Sequence, residues 1–445
     1  MNAGLSYAAS PPLALPLRWF LSVPVFGALA GGWLLWAGPA VMAGRWQPQA
    51  LAYVHLLALG VLLSAMLGAL IQLLPVLVGA PLRRAAPIAA GVQALLLPGI
   101  VLFAGGLGTG TAPLVRFGSA LLLCALLVYA AAALPAWWRS PRSGESARTI
   151  GWAGLSFLIA AALGFMLAAG HGWAGVPLLR RLTDLHAGWA LIGWVGLLVA
   201  AVAWQVVPMF SITAPYPRWL RTGLAPVNVA ALGLASLDAG WPLPDWLCHA
   251  AALAAGAALL GFAACTLWLQ HRRRRRLPDP WLGYWKLALG CAALAVCLWL
   301  AGRFGLRTGS GGSGSSTEML SGLLWLLGFG TTLVAGMLQR IVAFLVWLDL
   351  SNRLRAVRSA ALAPNVRELI PAAALQRQFA AQFLSVGLTL AACTLPALAR
   401  PAGAAGVLAW GLLALNLVRA IRTGRGWRQR IGDGSAAVAE QSVTI

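Results

Sequence analysis

Charge is what this chain has least of. Only 9% of its 445 residues are Asp, Glu, Lys or Arg, where soluble domains carry roughly a quarter. There are ten acidic residues and a single lysine, Lys286. With 60% of the residues hydrophobic, a soluble fold would expose far too much apolar surface. The scarcity of charge therefore excludes a soluble enzyme and a disordered binder. The six cysteines lie in or beside apolar runs and form no CxxC or CxxCH pattern. That pattern excludes a secreted disulfide scaffold and gives no support to a zinc ribbon or covalently attached c-type haem.

What is present is apolar helix. At about 20 residues per span the chain holds twelve: 17–42, 49–79, 86–106, 113–137, 149–170, 182–212, 218–239, 244–270, 283–302, 318–349, 375–398 and 402–421. The expected fold is an all-α integral membrane protein, one membrane domain over 1–445. A net charge of +22 does not indicate nucleic-acid binding, because the arginines fall between apolar runs. With both termini on the inner side, 24 basic residues sit inside and seven outside (Arg45, Arg116, Arg180, Arg181, Arg303, Arg307, Arg400), with Arg340 inside a helix. Such a bias orients membrane proteins. It points to the inner membrane of a bacterium with cytoplasmic termini. Three segments read as non-membrane: a flexible outer Gly/Ser loop at 308–317, a basic inner loop at 350–374 and a disordered tail at 431–445.

An internal repeat follows. Span 2 runs from His55 to Gln72 and Pro75, and span 6 from His186 to Gln205 and Pro208; span 10 opens at Glu318-Met319 and ends at Gln339-Arg340. Helices recurring four apart suggest three four-helix units, 17–137, 149–270 and 283–421, around a pseudo-threefold axis.

Few side chains can do chemistry in such a chain. Of five histidines, His271 opens a basic loop, His171 lies at a helix end, and His249 follows Cys248 near a span start. A Cys-His pair suits a soft metal, but adjacent helical residues diverge by about 100°, so plain packing is the expectation there. His55 and His186 lie one or two turns inside apolar helices, where an ionisable side chain is costly. They are read as ligands of haem or metal, the alternative being neutral rings hydrogen-bonded between helices. The 22 tryptophans and 51 glycines suit a flat haem between helices. Met319 is a further candidate ligand. Arg340 either snorkels to the inner interface or pairs with a bound anion, such as a haem propionate or lipid head group.

These spans resemble subunit I of the haem–copper oxidase superfamily, which has twelve spans, inner termini and a pseudo-threefold of four-helix units. His186 to Pro208 followed by TAPYPRWL is similar to the cbb3-type copper-ligating helix. The span holding His55 resembles the helix of the low-spin haem ligand, and Met319 to Arg340 resembles the helix that opens with His-x-His. The His-to-Pro pattern of span 2 is also similar to NnrS-type membrane proteins associated with nitric oxide stress. The resemblance implies haem b or copper as cofactor, with His55 and His186 serving different centres. It also implies a role in electron transfer, nitric oxide or oxygen handling, or respiratory-complex maturation, with a respiratory or redox protein as partner.

Departures limit that role. Span 7 (RTGLAPVNVAALGLASL) and span 10 carry no histidine, and span 6 lacks the tyrosine cross-linked in many oxidases. The acidic residues fall in loops, tails or helix ends, leaving no carboxylate for a proton channel. A proton-pumping oxygen reductase is therefore not expected. The competing readings are a transporter of copper or a small solute using His55, His186 and Glu318, with helices broken at Pro75, Pro208 and Pro226, and a cofactor-free assembly factor.

The charge bias generates a direct test. A reporter active only in the periplasm should be active when fused within 308–317 and silent when fused within 350–374. The reverse pattern would invert the orientation.

Overall fold

The computed structural model describes residues 11–140, 144–274, 279–305, 314–356 and 364–443. They are helical throughout, and no strand occurs among them. Twelve long helices follow in order: α1 Ala14–Met42, α2 Pro48–Val78, α3 Ala85–Thr109, α4 Ala112–Arg139, α5 Glu145–Gly172 and α6 Arg180–Ser211. They continue as α7 Arg218–Asp238, α8 Asp245–His271, α9 Pro280–Arg303, α10 Thr317–Arg355, α11 Ala372–Ala392 and α12 Pro396–Ile431. All but α11 have the length and composition to cross a membrane. Tryptophans at helix ends are exposed, among them Trp36, Trp138, Trp219, Trp241 and Trp246, as expected at the two membrane interfaces. This is an all-α membrane protein.

The boundaries match the hydropathy within a few residues except at α12, which starts well before 402 and runs well past 421, and three expected non-membrane segments are corrected. Helix continues beyond α12 to Val443, so 431–443 is not a disordered tail. Of the expected outer loop, Gly314 onward is already helical, and 308–313 lie outside the described residues. The expected inner loop shrinks, because α10 runs on, a short helix occupies Val366–Leu369, and α11 starts at Ala372.

Neighbouring helices pack as the apolar pattern requires, α3 on α4, α7 on α8 and α11 on α12, and α12 closes the bundle against α1. In that last contact Gly31 and Gly403 bring the backbones together: a Cβ on Gly403 would lie 2.3 Å from the Leu35 nitrogen. Small residues permit such approach between membrane helices.

The most buried helices are α2, α6 and α10, and each contains a π-helical stretch: Leu56–Leu63, Gly188–Gly196 and Leu324–Thr331. A π turn shifts backbone hydrogen bonds by one residue, so that Leu59 O accepts from the Ser64 backbone N–H and Leu327 O from that of Thr332. The carbonyl of the fourth residue of each stretch accepts from a side chain as well. Leu59 O accepts from Ser64 Oγ at 3.3 Å, Leu191 O from the Trp325 indole at 2.9 Å, and Leu327 O from Thr331 and Thr332 hydroxyls, each at 2.9 Å. The Trp325 bond joins the stretches of α6 and α10. The three spans that share a sequence pattern thus also share a backbone feature.

α11 lacks the hydropathy of its neighbours because one face is polar. Gln378, Gln382, Ser385 and Thr389 recur at helical spacing, all buried. Gln339 on α10 donates to Gln378 at 3.1 Å and to the Tyr284 hydroxyl on α9 at 3.2 Å, and accepts from Asn416 on α12 at 2.8 Å. Gln382 donates to Thr332 at 3.3 Å. Hydrogen bonds hold this helix in place where hydropathy does not.

Gln339→Leu should therefore cost about 1–3 kcal/mol, the usual penalty for stranding buried polar partners. Thermal unfolding in detergent should show it as a clear drop in Tm with unchanged helicity. Gly411→Ala, where a Cβ meets open space, should leave Tm unmoved.

Candidate functional site

The helix α2 enters from the end of the bundle that carries Arg45, and His55 is its eighth residue. His186 is the seventh residue of α6. Both sit just before a π stretch, which begins at Leu56 in α2 and at Gly188 in α6. The third stretch, at Leu324, places Gly322 and Leu323 at the matching position of α10. The threefold pattern is thus filled by imidazole twice and left apolar once.

The two rings meet. Their centres are 6.4 Å apart and their planes lie within 17° of parallel. This corrects the expectation that His55 and His186 serve separate centres: both belong to one site between α2, α3, α5 and α6. Each ring is anchored at its Nδ1. His55 Nδ1 donates to Leu51 O at 2.7 Å, and His186 Nδ1 donates to Ala160 O at 2.9 Å. A carbonyl only accepts, so the bonded nitrogen carries a proton, and in the neutral ring Nε2 keeps a lone pair. Backbone anchoring of this kind orients metal-binding histidines and raises their basicity.

Packing fixes the rings further. Phe103 on α3 meets His55 edge-on, at 5.2 Å between centres and 83° between planes. Gly164 on α5 makes room for His186: a Cβ there would lie 2.9 Å from the imidazole Cε1. His171, at the end of α5, lies near enough to interact electrostatically with His55.

At the same end, Arg45 ties the central helices together. It lies between α1 and α2, and pairs with Asp184 at the start of α6 at 2.7 Å and with Glu318 at the start of α10 at 3.3 Å. The guanidinium also lies over Trp46, 4.8 Å from the ring centre. One cation thus links the entry points of all three π-bearing helices.

The other candidates fall differently. Met319 is buried beside Glu318, at the same end of the bundle as the histidines. Arg340 does not join them. It lies 21 residues further along α10, about 30 Å at ~1.5 Å per residue, and pairs with Asp279, the N-cap of α9. Its guanidinium also stacks near Phe210 and Trp281. Arg340 therefore does not serve a haem propionate at the histidine site. His249 stacks on Phe304, 4.9 Å between centres, as plain packing predicts.

Sequence reasoning missed Phe103, Gly164 and the Leu51 and Ala160 carbonyls, which belong to apolar helices and carry no signal of their own. Asp279 was more legible, since Asp-Pro before an apolar run marks a helix start. Its pairing with Arg340 was not.

The donor set limits the chemistry. Among the described residues, no cluster of three or more His, Cys, Asp or Glu side chains stands within reach of one ion. Two imidazoles alone do not meet zinc's four-ligand demand or the oxygen preference of calcium and magnesium. They would suit a haem iron, whose macrocycle supplies its remaining donors. They also suit copper, for which imidazole is an established ligand. An ion about 2.0–2.1 Å from each of two imidazole nitrogens sets the ring centres roughly 6 Å apart, close to the separation seen here.

Arg45→Gln removes both ion pairs of an exposed network, worth at most about 1 kcal/mol per pair. The wild type should lose a few degrees of Tm between low and high salt, and the variant should start lower and show a flatter salt response.

Compared with known proteins, the chain matches no family model, and none of the curated proteins matches it.

Proposed function

We propose that this protein holds one redox-active metal centre, a haem b iron or a copper ion, between His55 and His186, on a degenerate scaffold of the haem–copper oxidase type. The observation that carries the reading is the adjacent imidazole pair, with both Nδ1 atoms engaged by backbone carbonyls. Burying two histidines on separate helices, each turned to leave the same nitrogen free, is costly packing unless something uses those nitrogens.

When bound, such a centre would supply one-electron chemistry. The protein's own contribution is to hold both rings neutral and oriented, to shield them with Phe103, and to seat His186 against Gly164. With the Arg45 end facing the periplasm of a bacterial inner membrane and both termini in the cytoplasm, the site lies near the periplasmic surface. That position suits electron exchange with a respiratory partner protein, nitric oxide or oxygen handling, or a part in respiratory-complex maturation.

The two-nitrogen donor set equally favours a second reading, in which copper is carried rather than kept and the protein transports or delivers it.

The test is an oxidised-minus-reduced optical spectrum of the detergent-purified protein, with haem and copper assays. One haem per chain, lost in His55→Ala and in His186→Ala, is the expected result. Gly164→Val should reproduce much of the loss without touching a ligand, because it displaces the His186 ring. Stoichiometric copper without haem would select the second reading. A colourless, metal-free protein of native helicity, unresponsive to added haem or copper, would overturn both and leave a cofactor-free assembly factor.

A further inference from the structure

At the end of the bundle opposite the histidines, the tips of α6, α8, α9 and α10 enclose a cavity of about 300 Å³. Its polar lining is cationic. Arg273, Arg340 and Arg367 face a single carboxylate, Asp279, which Arg340 already engages. Its remaining walls are mostly apolar and include the rings of Trp281, Phe210, Phe344 and Trp347. A second cavity of about 100 Å³ shares Arg340 and Arg367 and extends toward Gln339.

The donors of this cavity are not all used. Among the described residues, Ser211, more than nine-tenths buried, has a hydroxyl with no hydrogen-bond partner, and the buried Nε atoms of Arg273 and Arg340 are likewise without one. Buried polar atoms are normally satisfied, and each unpaired one calls for an explanation. Here three unpaired donors line one concavity with surplus positive charge.

We infer that this cavity binds the phosphate group of an anionic membrane phospholipid. Guanidinium forks match phosphate oxygens, and the hydroxyl adds a donor without adding charge. A free inorganic anion would satisfy those donors as well. The aromatic walls at the tips of membrane helices favour a phosphate that arrives with a glycerol backbone and acyl chains. Basic pockets between membrane helices bind lipid head groups in this way. The inference is independent of the histidine site: Ser211 ends α6, near whose start His186 lies, roughly 35 Å away at ~1.5 Å per residue.

The test is native mass spectrometry of the full chain in detergent, titrated separately with phosphatidylglycerol, phosphatidylcholine and inorganic phosphate. The expected result is one phosphatidylglycerol retained per chain in preference to phosphatidylcholine. Retention should weaken at least about tenfold in Arg273→Gln/Ser211→Ala and stay unchanged in Arg116→Gln, an exposed arginine at the opposite end. Equal retention by wild type and double variant would overturn the inference. So would retention of inorganic phosphate with no selectivity for the anionic lipid, which would make the ligand a free anion. If the double variant does not purify folded, Ser211→Ala alone must still lower retention measurably, and no change would overturn the inference.

Discussion

In a bilayer, a carbonyl or imidazole that finds no partner within the protein finds none at all, and that constraint organises this molecule from its backbone outward. It dictates helices in the first place. Where helices depart from regularity, side chains add to the backbone bonds: the carbonyls of Leu59, Leu191 and Leu327, at the same position of three π stretches, each accept from a hydroxyl or an indole. The Trp325 bond crosses from α10 to α6 and so holds two central helices together.

The same constraint explains the histidine pair and the polar face of α11. An imidazole has two nitrogens to satisfy. Leu51 and Ala160 satisfy one on each ring, and the remaining lone pairs give the site its chemical potential. Gln339, Gln378 and Asn416 bond among themselves and Gln382 reaches Thr332, and together they fasten a helix whose hydropathy would not keep it in place. The two ends of α10 show opposite strategies for charge. At one end Glu318 shares an exposed arginine with Asp184, where each pair contributes little. At the other, Arg340 and Asp279 are largely sheltered from solvent and flanked by aromatic rings, an arrangement in which removing either partner is costly.

The outline of the fold was legible because hydropathy is a local property. Helix limits in α2, α3, α8 and α9 fall within a few residues of the apolar runs. Where the reading failed, composition was a poor guide to conformation: Gly-Ala-rich residues after 431 looked like a tail and are helix to Val443. The two histidines were singled out for their depth alone. Their spacings to the Gln-x-x-Pro motifs, 17 and 19 residues, did not show that the rings would meet.

What the sequence determined by itself is the membrane class, the twelve helices and the short list of side chains able to act, because transfer to an apolar medium sorts residues one at a time. What only the tertiary structure decided is which of them act together. His55 joins His186 rather than standing at a separate centre, Arg340 joins Asp279 rather than the histidines, and Arg45 joins three helix entrances. Each pairing links residues tens to hundreds of positions apart. Their meeting is set by where the π turns rotate each helix face and by where Gly164 and Gly403 allow close approach, and neither is written in any single span.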